Sequence, residues 1–217
     1  MFIKKYFKSS ILSGFLIGFA VVFSTTFSQY FNYSKIASSI IFPIGLMTIV
    51  ILKSQLFTGN VYNHALELKN NEISCSQYIG KLILCYIGNF VGMLITIFIY
   101  LNLEQDTLNS FILSSQYKVS IPIKQLFFYG LMCNSVVCLI VSLNKRIDNI
   151  LAKIFVIFII LPAMVYCGYE HSIANMFTLS VGYFYNAISF SQLLYNLSVS
   201  TIGNILGGLF IYFITEE

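Results

Sequence analysis

Apolar residues in this chain come in long, nearly unbroken runs. They cover about residues 9–30, 37–57, 78–101, 122–143, 150–167 and 190–214. Each is close to or beyond the ~20 residues that a helix needs to cross a bilayer. A further run, about 172–186, is apolar but too short to cross alone. A helix that is apolar all round has no face to offer water. The pattern therefore predicts an all-α, polytopic membrane protein with six transmembrane helices.

Two polar interruptions break this pattern. One is KSQLFTGNVYNH, from Lys53 to His64, at the end of the second run. The other is CGYEHSIANMF, from Cys167 to Phe177, at the end of the fifth. Non-helical backbone at membrane depth survives only where protein or water covers it. The second and fifth helices are accordingly expected to be broken.

The halves also repeat. IGNFVGML from Ile87 matches IGNILGGL from Ile202, and LFTGN (Leu56–Asn60) lies over HSIAN (His171–Asn175), both at an offset of 115. GFLIGFAVV from Gly14 faces GLMCNSVV from Gly130 at an offset of 116. Each repeat, about 9–101 and about 122–214, holds three spans, and an odd number forces the two copies into opposite orientations. This predicts two inverted three-helix repeats within one channel domain spanning residues 1–217. Broken helices at matching places would meet near the midplane. Half-helix N-termini there offer unpaired N–H groups to an anion. The pairs Gly88/Gly92 and Gly203/Gly207 suit close helix packing.

Composition narrows the function. Of 217 residues, 58% are hydrophobic and 9% charged, too few charges to cover a soluble surface. The net charge of +4 sits at loop ends and implies no nucleic-acid partner. Lys4, Lys5, Lys8, Lys69, Lys81, Lys145 and Arg146 fall on one side, against Lys35, Lys118 and Lys124 on the other. Both termini are thus expected to face the cytoplasm across the cytoplasmic membrane. The N-terminal apolar run outlasts a signal peptide and lacks a small-residue cleavage site, so it reads as the first span. Five scattered cysteines form no metal-ligand spacing and read as small buried packing residues. No cofactor is expected. HExxH is absent, and Glu170 and His171 would diverge by ~100° on a helix, so an enzyme is not expected. An aquaporin-type neutral-solute channel would want Asn-Pro-Ala triplets, and none occurs.

Taken together, LFTGN at 56–60, YIGNFVG at 86–92, LMCNSVVCL at 131–139, GYEHSIANMF at 168–177 and IGNILGG at 202–208 resemble the formate/nitrite transporter family. The likeness holds in order and spacing over almost the entire chain. It implies an aquaporin-like protomer in a homopentamer embedded in lipid, passing small monovalent weak-acid anions with protons: formate or nitrite, with hydrosulfide or lactate as alternatives. Gln55 departs from it, since the family often has an acidic residue there. Lys53 adds a cation at the same break.

The resemblance assigns roles. His171 is the expected pore histidine, because an imidazole titrates near ~6.5 and can hold or protonate an anion. Thr58 is expected to share a hydrogen bond with it. Leu56 and Phe57 are expected to form an apolar constriction, costly for a bare anion. Lys153, inside the fifth span, is expected to draw anions in. Asn60 and Asn175 are expected to bond between the two loops, and Glu170 to brace its break. Phe42, Leu46 and Met164 are the expected second constriction, and His64 is expected to be structural or at the surface.

Overall fold

A computed structural model describes residues 2–103 and 106–216. Ten helices and no strand occur among these: α1 (Phe2–Tyr30), α2 (Lys35–Ile41), α3 (Pro43–Leu52), α4 (Phe57–Lys69), α5 (Cys75–Leu101), α6 (Leu108–Ser120), α7 (Ile123–Arg146), α8 (Ile150–Tyr166), α9 (Ser172–Phe184) and α10 (Phe190–Thr215). Ile3–Tyr30, Lys35–Lys69, Cys75–Leu101, Ile123–Arg146 and Phe190–Thr215 are each long and apolar enough to cross a membrane. With 17 residues, α8 falls short alone. It continues through a break into α9, which makes the sixth crossing. The all-helical expectation holds, with α6 as an addition between the halves that no apolar run announced.

Local signals set the boundaries. Ser74 caps α5 and Ser189 caps α10, each in a capping box with Gln77 or Gln192 at the third position; these pairs also lie 115 apart. Pro43, lacking an N–H, opens α3 and separates it from α2. The two breaks begin alike. Lys53 (φ 51°) ends α3 in the left-handed region, and Gly168 (φ 71°) follows the end of α8. The next N–H turns back in each case: Ser54 to the Ile49 carbonyl (3.0 Å), Tyr169 to the Met164 carbonyl (3.3 Å). This six-to-one bond satisfies carbonyls that the helix end would orphan.

Long helices pair within each half, α1 with α5 and α7 with α10. Glycine permits the contact. A Cβ on Gly92 would strike the Ile11 carbonyl, and one on Gly207 the Leu131 carbonyl. Nearly all of α9 and the first half of α4 are buried at the centre. Phe98, Phe155 and Phe213 point outward from the long helices.

The breaks open toward opposite faces. Tyr6 and Ser9, near the start of α1, line a cavity with Lys53 and Gln55 of the first break. Val21 and Ser24, farther along α1, line a cavity with Glu170 and His171 of the second. At 1.5 Å per residue, Tyr6 and Ser24 lie ~27 Å apart along the helix. Matching segments that face opposite ends are what an inverted repeat requires.

Candidate functional site

Backbone leaving a helix inside a membrane needs partners for its polar groups. Here one asparagine serves each break. Asn89 of α5 accepts from the Phe57 N–H (2.9 Å) and donates to the Gln55 carbonyl (3.0 Å) and the Ser10 carbonyl (2.7 Å). Asn204 of α10 accepts from the Ser172 N–H (2.9 Å) and donates to the Glu170 carbonyl (2.9 Å) and the Gly130 carbonyl (2.8 Å). Both asparagines are fully buried. Each clasps the residue before and the residue after the N-cap of its half-helix. These are the asparagines of the two IGN motifs, whose glycines alone drew a sequence reading. Asn134 joins the halves, donating to the Thr58 carbonyl (3.2 Å) and the Asn204 carbonyl (2.7 Å).

The clasps hold two residues face to face. Leu56 is the N-cap of α4, and His171 is the N-cap of α9. The His171 imidazole accepts from the Ala174 N–H at Nδ1 (3.2 Å) and lies 3.0 Å from Thr58 Oγ1 at Nε2. A nitrogen that accepts from an amide carries no proton. Nε2 therefore carries it and donates to Thr58, and the imidazole is neutral in this arrangement. The Thr58 hydroxyl proton is left to point elsewhere. His171 is 5% exposed and Thr58 0%, so this pair sits where bulk water does not screen it. The N–H groups of Thr58 and Gly59 precede the first intrahelical bond of α4, Asn60 N–H to the Leu56 carbonyl (2.9 Å), and have no acceptor within the helix. Two half-helix N-termini thus converge on one polar pair.

A cavity approaches the pair from each face. One, of about 630 Å³, is lined by Phe42, Met164, Lys118, Glu170, His171 and Asn175, among others. The other, of about 340 Å³, is lined by Leu46, Leu56, Lys53, Asn60, Lys145 and Lys153, among others. Leu46 accordingly narrows the second cavity beside Leu56, while Phe42 and Met164 narrow the first. Phe57 lines neither cavity: its ring packs edge-on against Tyr86, 4.9 Å between centroids.

Asn60 and Asn175 do not bond to each other. Asn60 donates to Tyr6 Oη (3.0 Å) and Gln55 Oε1 (2.9 Å), and Asn175 to Glu170 Oε2 (2.6 Å) and Asn196 Oδ1 (3.0 Å). Each steadies the residue 5 positions before it, so each loop is braced within its own half. Glu170 also pairs with Lys118 of α6 (2.8 and 3.0 Å), a cation that its position had marked only as a loop charge. His64 is buried, between Tyr6 Oη (2.8 Å) and Glu67 Oε2 (3.0 Å). Cys85, Cys133 and Cys138 are buried packing residues, but Cys75 and Cys167 are exposed, because both stand at helix ends. Among the described residues, no group of three or more His, Cys, Asp or Glu side chains is placed to hold a metal ion.

Known proteins resemble this chain in sequence and in fold. A family profile described as Formate/nitrite transporter matches residues 1–216. The chain is 32% identical over 195 residues to the "Probable formate transporter" of Methanothermobacter thermautotrophicus, covering 80% of this chain and 71% of that one. It is 33% identical over 177 residues to the "Nitrite transporter NirC" of Escherichia coli (strain K12), covering 77% and 65%. Among solved structures, the "Pentameric formate channel with formate bound" superposes with a TM-score of 0.81 at 25% identity, over 98% of this chain and 95% of that one. An "FNT family ion channel" superposes with a TM-score of 0.83 at 29% identity, over 97% and 87%. Two clasped breaks, a buried threonine–histidine pair and a profile match from end to end converge on one assignment: this chain is a multi-pass membrane protein of the formate/nitrite transporter family.

Proposed function

We propose that the chain conducts formate or nitrite, with protons, through the path from one vestibule past Thr58 and His171 to the other. The observation that carries this is the 3.0 Å contact of His171 Nε2 with Thr58 Oγ1, set between two cavities that open to opposite faces. The relatives above are named for formate and nitrite, which favours these over hydrosulfide and lactate. By the lysine and arginine distribution, the vestibule lined by Lys53, Lys145 and Lys153 faces the cytoplasm, as do both termini, in the cytoplasmic membrane. The two repeats work as one channel domain. Five copies assemble, as in the formate channel superposed above, each protomer with its own path through lipid. The path needs no cofactor and makes no bond to carbon or nitrogen.

The geometry suggests how an anion crosses. The neutral imidazole donates from Nε2, the Thr58 hydroxyl has a free proton, and the half-helix termini add partial positive charge. An anion arriving there pulls a second proton onto the ring, because an opposite charge favours imidazolium. That proton displaces the Ala174 N–H from Nδ1, so the cationic ring is transient. Nε2 then passes a proton to the anion. The neutral acid moves past Leu46 and Leu56 on one side, or Phe42 and Met164 on the other. The ring is then neutral with its proton on Nδ1, and the cap is restored when that proton leaves and a new one is taken up at Nε2. One proton is taken from a vestibule for each anion, so flux falls as pH rises, approaching about tenfold per unit where proton supply limits it. Lys153 raises the local anion concentration, and Lys118 and Glu170 fix the second break.

Uptake by proteoliposomes of labelled formate, nitrite and hydrosulfide between pH 5 and 8 tests this. Formate and nitrite are expected to pass and to slow as pH rises. Hydrosulfide passing while neither of the others does would contradict the substrate assignment.

A further inference from the structure

The two vestibules differ in charge. In the larger one Lys35 and Lys118 face Glu170, and Glu170 is already bonded to Lys118. The smaller one gathers Lys53, Lys145 and Lys153 from three elements: the left-handed turn after α3, the last turn of α7 and the first turn of α8. No acidic side chain is among its lining residues. Gln55 lies there, neutral, at the position that matches Glu170 across the repeat. The same cavity is bordered by Asn144, which is 8% exposed. Its Nδ2 and Oδ1 are both buried without a hydrogen-bond partner. Buried amides are ordinarily satisfied, so an orphan of this kind beside three cations marks an unfilled polar site.

We propose that this vestibule binds a divalent, hydrogenphosphate-type oxyanion, which blocks conduction from that face without crossing. The inference rests on reading the cavity as one end of the conduction path. Three ammonium groups supply charge for two negative charges. Turned toward the lysines, the Asn144 amide offers a donor to a phosphate oxygen and an acceptor to its hydroxyl, a pairing that a hydrogenphosphate fulfils and a halide does not. The floor of the cavity is Leu46, Ile49 and Leu56. Desolvation rises with the square of charge, so a dianion faces about four times the barrier of formate at this ring. It docks on the lysines and stops.

The test follows uptake of labelled formate by proteoliposomes at pH 7.5, since an anion that crosses with its proton carries no current. The orientation of the chain is assigned by the reaction of Cys167, which borders the larger vestibule, with an impermeant thiol reagent in a Cys75→Ser background. Inorganic phosphate at ~10 mM on the lysine side is expected to cut formate uptake by about fivefold or more, and on the other side by less than about twofold. Asn144→Leu and Lys53→Gln are each expected to weaken the block by about threefold or more. Calorimetric titration of phosphate into the detergent-solubilised chain gives binding directly, and melting curves of the variants separate a lost site from a lost fold. Equal block from both faces, or no block and no heat up to ~50 mM phosphate, would overturn the proposal. Formate uptake absent before any phosphate is added counts against the conduction reading alone, and calorimetry then decides the phosphate site.

Discussion

The break before α4 and the break before α9 have the same backbone and opposite chemistry. Both begin with a left-handed residue, Lys53 or Gly168, and a six-to-one bond. Both are clasped by an asparagine 115 positions from its counterpart, Asn89 or Asn204. Both end in a half-helix whose N-cap residue faces the path. That residue is Leu56 in one and His171 in the other. The next inward position is Thr58 in the first and Ile173 in the second. Duplication thus supplies two identical mounts, and divergence puts an apolar restriction on one and a proton-bearing ring on the other. An anion meets the leucine where it must be neutral and the histidine where it can become so.

The most damaging way to probe this likeness is to break the mounts. Asn89→Leu and Asn204→Leu each strand one N–H in the core and take a donor from one loop carbonyl, that of Gln55 or Glu170, at ~1–3 kcal/mol per group. Each is expected to remove most of the folded protein, and by similar amounts, as judged by thermal melting and recovery in detergent. A large loss for one and none for the other would mean that the two breaks are not supported alike. Next in size come substitutions of the two N-cap residues, where function and not stability separates them. His171→Leu is expected to cut formate flux by ~100-fold, since a bare anion then finds apolar surface at the midplane. Leu56→Ala is expected to raise flux and admit larger anions such as lactate. Equal and small effects of the two would erase the difference on which the mechanism turns.

This division between mount and cargo also decides what the chain disclosed before its coordinates. Six crossings and two broken helices were legible because lipid demands long apolar runs and polar residues inside them are conspicuous. Thr58 and His171 were legible because LFTGN and EHSIAN interrupt such runs at one offset. Asn89 and Asn204 were overlooked because an asparagine amid glycines reads as part of a packing motif, and only the approach of a distant backbone reveals its bonds. Lys118 was overlooked for a related reason: α6 is short and mixed in polarity, so its lysine resembled a loop charge until Glu170 appeared beside it. Asn60 and Asn175 were drawn to each other by sequence symmetry, yet symmetry itself keeps each within its own half. Phe57 follows Leu56 in the sequence, but only packing with a distant residue shows where its ring goes, against Tyr86.

The smallest expected effect concerns the vestibule beside Leu56. Lys153 lines it and is half-buried. Lys153→Gln is expected to lower formate flux about two- to fivefold at low ionic strength and hardly at all at 1 M salt, where charges are screened beyond ~3 Å. A loss that persists unchanged at high salt would assign Lys153 a packing role.

The proton-bearing ring is tested most directly by the pH profile of formate flux in His171→Asn. Asparagine can accept from the Ala174 N–H and keep the cap of α9, so melting is expected to be unchanged. It cannot shuttle a proton. Flux through proteoliposomes is expected to fall by ~10-fold or more and to lose its decline between pH 6 and 8, since no proton is collected at the midplane. A variant that melts normally and conducts formate with the wild-type rate and pH profile would show that the ring does not carry the proton.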